Sequence, residues 1–240
     1  MPHISFSALY NWKKCQHYHK LTYIDQIPFE KGNIYSAFGS AIHLTCEKLL
    51  KKEILNETEL FFSRSFKEEL KLLPDSQKKK IFEEKKINEI VKEMFSKGAN
   101  LCLLAIEALE EKFPHFKIIN IEENIIEPIT TYPGEKEYDF KGYIDLIIQT
   151  PDGKYHIIDW KSSGTGWDDK KINDELTQSQ LVYYNHYYTL RENIDLSLME
   201  NYFIIIKRNI VNENDKLIDF IPLEIPEEKT NTALKVLNNM

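Results

Sequence analysis

Apolar residues recur every three or four positions through the first half of the chain and every second position through much of the remainder. That change of period predicts where helices give way to strands. Ser7 is placed to cap a first helix reaching about Lys20. In NIYSAFGSAIHLTCEKLLKK the apolar positions, Ile42, Leu49 and Leu50 among them, keep helical intervals. ETELFFSRSFKEELKLL predicts a further helix closed by Pro74, and a long one is expected from about Ser76 to Lys112, closed by Pro114, since proline has no amide hydrogen to donate. The charged part of that segment, SQKKKIFEEKKINEIVKEM, reads as a solvated face.

From FKIINIEENIIEPI onward the period falls to two, and YDFKGYIDLIIQT and KYHIIDWKS follow as strands. Pro133 and Gly134 lie in the first connection, and the turn TPDGK joins the second strand to the third, which is short enough to require an antiparallel pair. A helix over about Asn173 to Arg191, strands NYFIIIKR and LIDFIPLE, and a last helix from Pro226 complete the pattern. No repeat or low-complexity linker interrupts it. The expectation is one α/β domain over 1–240, with a mainly helical section (1–115) packed on a sheet-containing core (116–240).

Composition narrows the possibilities. A chain of 240 residues, 42% hydrophobic, is long enough to bury a proper core. No run approaches the roughly 18 apolar residues of a membrane span, and MPHISFSALYNWKKC lacks the apolar stretch of a secretion signal, so a cytoplasmic protein without membrane partners is expected. Cys15, Cys46 and Cys102 form no C-x-x-C pair and read as free thiols. A formal charge of -7 argues against holding a polyanion by bulk positive potential. Local clusters such as Lys13-Lys14 and Lys78-Lys79-Lys80 still offer phosphate contacts, and acids gathered at one point would be neutralised by a divalent cation. There is no G-x-S-x-G elbow, and SGTGWDD after Lys161 matches neither a P-loop nor a dinucleotide fingerprint.

The chemistry concentrates in the predicted hairpin. In YHIIDWKSS the residues Asp159 and Lys161 are two apart, so a strand places them on one face with Trp160 on the other. A surface ion pair at a strand end is the simpler reading. Asp145, however, sits within GYIDLII on the neighbouring strand, where an unpaired carboxylate would cost several kcal/mol. Two aspartates flanking one tight turn can converge on a hard cation, leaving the lysine to hold a phosphate oxygen or orient a water molecule.

These stretches resemble the PD-(D/E)XK nuclease superfamily and, within it, the RecB-like exonuclease branch. The branch pattern is G-x-x-x-H on an early helix, then G-x-I-D, a hairpin, I-D-x-K-[ST], and Q-x-x-x-Y on the next helix. GSAIH (Gly39 to His43), GYID, IIDWKS and QLVYY supply each piece in order. The resemblance implies a restriction-endonuclease-like core, a mixed central sheet flanked by helices. It further implies that Asp145 and Asp159 bind Mg²⁺ or Mn²⁺ with the Trp160 main-chain carbonyl and His43, that Lys161 assists the nucleophile, and that Gln180 and Tyr184 hold the substrate strand. A carboxylate from the preceding strand often joins such sites, and NIEEN offers Glu122 with Glu123 as its rival, since a one-residue register shift exchanges their faces.

On this resemblance the chain is expected to be a metal-dependent deoxyribonuclease, more an exonuclease than an endonuclease. DNA, single-stranded or at its ends, would be the partner, in recombination, repair or phage DNA processing. A restriction-type endonuclease and a catalytically silent nucleic-acid-binding protein are the alternatives. Relatives with an iron–sulfur cluster use an early cysteine and three late ones; only Cys15 matches, so no cluster is expected. Glu47, one turn after His43, reads equally as a support for that imidazole or as a surface acid, and His17 and His19 read as surface residues. Tyr183, Tyr187 and Tyr188 read as core, Trp167 as either substrate contact or core lid.

Overall fold

The computed structural model describes residues 2–129, 138–212 and 214–240; Pro133 and Gly134 lie outside them. Strand β1 (His3–Ser5) leads directly into α1 (Phe6–Lys14). The helix starts there because the Ser5 hydroxyl accepts a hydrogen bond from the Ala8 amide at 3.1 Å, so the cap is Ser5 rather than Ser7. It also ends early, at an extended Cys15, and a short α2 (Gln16–His19) and a π turn (Lys20–Ile24) follow. His19 is buried there, stacked on Tyr23, and is not the surface residue expected.

Helix α3 (Ile34–Leu50) begins at a reciprocal cap in which the Asn33 side chain accepts from the Tyr35 and Ser36 amides and the Ser36 hydroxyl accepts from the Asn33 amide. Helix α4 (Thr58–Leu72) follows. The single helix expected from Ser76 to Lys112 is two, α5 (Asp75–Glu83) and α6 (Lys85–Lys112), separated by an extended Glu84. The break has a packing cause: α6 buries Val91, Met94, Cys102 and Leu109, whereas α5 buries no residue fully. Folding back at Glu84 brings Ile81 onto the core edge beside Ile87, and the Asn88 side chain donates to the Ile81 carbonyl at 3.2 Å.

The sheet is mixed and six-stranded, formed by β1 with β2 (Lys117–Pro128), β3 (Asp139–Gln149), β4 (Tyr155–Ser163), β5 (Met199–Lys207) and β6 (Ile218–Pro222). As the short turn requires, β3 and β4 are antiparallel; β4 and β5 are parallel, and β5 and β6 antiparallel. Between β4 and β5 lie α7 (Asp169–Ile172) and α8 (Glu175–Glu192), the parallel crossover, and α9 (Glu227–Asn238) closes the chain. One sheet face carries Leu146, Ile158, Trp160 and Ile204 against Phe38, Ile42, Phe62 and Met94 of α3, α4 and α6. The other carries Ile144, Ile157, Phe203 and Ile205 against Leu9, Leu181, Tyr187 and Leu237 of α1, α8 and α9. This is the mixed sheet between helical layers that the resemblance implies, a restriction-endonuclease-like core. No described helix is long and apolar enough to cross a membrane.

Two irregularities in this sheet prepare the site. Strand β2 runs along one edge of β3, while β4 pairs with the opposite edge over only four residues, from Gln149↔Tyr155 to Leu146↔Ile158. Beyond that point β3 and β4 part, and β1 enters the fork to pair in parallel with Asp139–Lys141. The second irregularity is an exchange of faces. Ile144 and Leu146, two apart, should share a face, yet they belong to opposite cores, and so do Ile121 and Ile125 of β2. Between them stand Asp145 and Glu122, the latter left-handed at φ 54°. For a residue with a long side chain that conformation is costly, and such strain clusters where function over-determines it.

Candidate active site

Asp145 stands level with Asp159, one step past the last β3–β4 ladder pair. With the strands parting, the Trp160 amide has lost its ladder acceptor, and the Asp145 Oδ2 replaces it at 2.7 Å. The same oxygen meets His43 Nδ1 of α3 at 3.3 Å. Helix α3 comes this close because residue 39 is glycine: a Cβ there would stand 3.2 Å from the Ser162 hydroxyl, just past Lys161. Ligand atoms of His43, Glu122 and Asp145 all lie within 4.8 Å of one another. Asp159 is not in that group. Its carboxylate, 1% exposed, faces Lys161 with Nζ to Oδ2 at 2.6 Å, a close ion pair.

Lys161 is held from a second side. Gln180 of α8 accepts from its ammonium at 3.0 Å, and the Gln180 amide in turn donates to the Tyr184 hydroxyl at 3.1 Å. Tyr184 itself is buried, its ring lying flush on the backbone of Gly142, where a Cβ would stand 2.5 Å from Cε1. The glycine of G-x-I-D and the tyrosine of Q-x-x-x-Y are therefore one packing contact. Tyr184 reaches the site through Gln180 rather than by lining an open groove. Tyr183, Tyr187 and Tyr188 are core, as their spacing suggested.

The rival acids separate cleanly. Glu122 joins His43 and Asp145, whereas Glu123 is bound to Arg191 at 2.6 Å and to the Asn120 amide. Glu47 pairs with Lys51 at 2.7 Å rather than with the imidazole. Cys15 is exposed, and Cys46 and Cys102 are buried in the helical core.

Titration reflects this crowding. Burial pushes Glu122 up, aided by the Asp145 charge, to about 7. Burial likewise raises Asp159, against the pull of Lys161 and with the push of Asp145, to about 6. Burial alone would lower His43, but the charge of Asp145 and its hydrogen bond overcome it and hold the imidazolium to about 9. Asp145 is itself depressed despite burial, because His43 and Lys161 face it. Three carboxylates thus confront two bases. Oxygen-rich, imidazole-assisted and short of positive charge, the donor set fits a hard divalent cation.

Sequence reasoning missed what borders the site on its α1 side. A cavity of about 450 Å³ opens beside Lys161 and Gln180, walled by Phe6, Tyr10, Trp167 and Lys171. Aromatic residues four apart at the start of the first helix were its available signal.

The family profile described as PD-(D/E)XK nuclease superfamily matches residues 3–229. Among solved structures, a "Putative exonuclease" from Eubacterium rectale superposes with a TM-score of 0.55 at 10% identity, covering 99% of this chain and 77% of that one. The crystal structure of SSO0001 aligns over 96% of this chain and 82% of its own at 15% identity, with a TM-score of 0.36. No curated protein matches the chain.

Proposed function

Because the chain belongs to the PD-(D/E)XK nuclease superfamily, whose members cut nucleic acids with divalent metals, we propose that it is a deoxyribonuclease of the RecB-like branch. It acts from DNA ends with Mg²⁺ or Mn²⁺, in recombination, repair or phage DNA processing. The observation that carries this reading is the fork between β3 and β4, where His43, Glu122 and Asp145 gather beside the Asp159–Lys161 pair. The exonuclease assignment draws on G-x-x-x-H and Q-x-x-x-Y occurring together, supported by the name of the Eubacterium rectale neighbour.

In this reading His43, Glu122 and Asp145 would hold the metal, with Asp159 and the Trp160 main-chain carbonyl as its further ligands. A divalent ion held there would polarise the scissile phosphate and lower the pKa of water beside it. Lys161, fixed between Asp159 and Gln180, orients that water or stabilises the charge that grows on phosphorus-bound oxygen. Water forms the new bond to phosphorus, the ester bond to the leaving oxygen breaks, and that oxygen takes up a proton. Gln180 contacts the substrate strand, while Tyr184 is a positioning residue that keeps Gln180 aimed at the lysine.

The test is digestion of end-labelled single- and double-stranded DNA, linear and closed circular, in Mn²⁺, Mg²⁺ or EDTA, beside Lys161→Ala and Asp145→Asn. Metal-dependent loss of linear DNA that both substitutions abolish is expected. Destruction of closed circles would overturn the exonuclease assignment, and digestion unaffected by the substitutions would overturn the site.

A further inference from the structure

The cavity beside the lysine has a shape and lining that the hydrolytic groups do not require. Its volume of about 450 Å³ falls at the small end of the roughly 300–1,000 Å³ of small-molecule sites. Such a space is large enough to take one nucleoside. Its walls come from three places: Phe6 and Tyr10 from α1, Trp167 from the loop after β4, and Lys171 from α7. Lys161 and Gln180 form its floor, so it is continuous with the point where the scissile phosphate would lie.

The lining is divided by chemistry. Phe6 and Tyr10 lie with ring centroids 6.1 Å apart, and the Trp167 indole, half-buried, is braced by Phe203 at 5.1 Å. Lys171 stands 5.5 Å from the indole centroid with its ammonium steadied by the Thr177 hydroxyl at 2.8 Å. Aromatic walls accept any base face, and the ammonium groups of Lys161 and Lys171 accept phosphate, the combination that single strands require.

Resting on the nuclease reading, we infer that this cavity is the subsite for the unpaired nucleotide next to the cleaved bond, its base against Tyr10 and Trp167 and its phosphate between Lys161 and Lys171.

The test separates binding from cleavage. In EDTA, wild-type protein is titrated with 5′-dAMP, 3′-dAMP and 2-deoxyribose 5-phosphate, with binding followed by ligand-observed NMR. At least one nucleotide is expected to bind about fivefold or more tightly than the base-less sugar phosphate, the lower bound for a base stacked on an aromatic side chain. Tyr10→Leu with Trp167→Leu is expected to equalise them, with Tyr10→Leu alone halving the gap if the double variant melts. Equal binding of all three ligands by the wild type, or a preference that survives the substitutions, overturns the subsite. Cleavage of single-stranded DNA in Mn²⁺ is measured separately. Nucleotide preference without cleavage would refute the nuclease reading and keep the subsite; cleavage without nucleotide preference would do the reverse.

Discussion

Strand β4 gathers a histidine, a lysine and acids at each of its ends, and the two ends are organised differently. At its start the buried His156 touches the Thr150 hydroxyl through Nε2 at 2.9 Å and approaches Glu200 through Nδ1 at 3.3 Å, while Glu200 also pairs with Lys154. There the hydrogen bond from Lys154 lowers Glu200, and burial lowers His156, so the imidazole is neutral and the acid has its cation. At the other end three carboxylates share His43 and Lys161, and Glu122 and Asp159 are displaced upward. A polar cluster that serves the fold settles its charges within itself; one that leaves acid in surplus is arranged for something that arrives from solvent.

The largest effect that sharpens this contrast is catalytic. Lys161→Ala should lower DNA cleavage by about 10²–10³-fold, the loss seen when one preorganised charge donor is removed, while Glu200→Gln should leave the rate unchanged. A comparable fall in Glu200→Gln, measured on end-labelled DNA, would break the distinction. Metal comes next. Mn²⁺ at about a hundred times its dissociation constant should stabilise the fold by about 2.7 kcal/mol, or about 5–10 °C for a chain of this size. Calorimetry should find that shift absent in Asp145→Asn and intact in Glu200→Gln.

A smaller effect concerns two glycines. Gly142→Ala drives a Cβ into the Tyr184 ring and should cost about 1–3 kcal/mol together with activity, through Gln180 and Lys161. Gly153→Ala, in the turn before β4 at φ 88° with open space around it, should cost about 1–2 kcal/mol and leave activity alone. If the first variant kept full activity in a digestion assay, the chain from Gly142 to Lys161 would be decorative.

The smallest effect is in pH dependence, and the two ends should tilt it in opposite directions. Glu122 in the folded, metal-free protein titrates at about 7, above the ordinary 4.5, so the fold keeps a proton that the unfolded chain has released. Its contribution therefore declines as pH rises from 4.5 to about 7. His156 is lowered from 6.5, so just below that pH the unfolded chain binds the extra proton and stability rises with pH. Melting in EDTA should show Glu122→Gln removing a downward slope and His156→Phe an upward one. Since Glu122 is only partly desolvated and keeps contact with solvent, its part should be no more than about 1 kcal/mol, or about 2–4 °C.

Much of this arrangement could be read from residue order. The period-two runs and TPDGK foretold the β3–β4 hairpin, and the i, i+2 rule put Lys161 beside Asp159 with Trp160 in the opposite core. What local pattern could not reveal depends on distant partners. The three residues of β1 are too few to show a period, and they are a strand only because the fork offers Asp139–Lys141. Glu84 looks as helical as its neighbours, and the break there answers to the core beneath Ile81. The left-handed Glu122 is invisible in NIEEN, since its conformation follows from the exchange of faces shared with β3. Tyr184 was foreseen as a motif member but not as the ring that fills the space a glycine leaves.

The wedge of β1 in the fork has a consequence for how the molecule is made. Ile4 leaves the ribosome early, yet its partner Phe140 emerges only after all the helices through α6 and most of the sheet's first edge have been synthesised. The hairpin of β3 and β4 can close locally as soon as it is translated, whereas the wedge must wait for a contact between the two halves of the polypeptide. Closing the fork therefore depends on a pairing of high sequence separation, while the hairpin that forms its base does not.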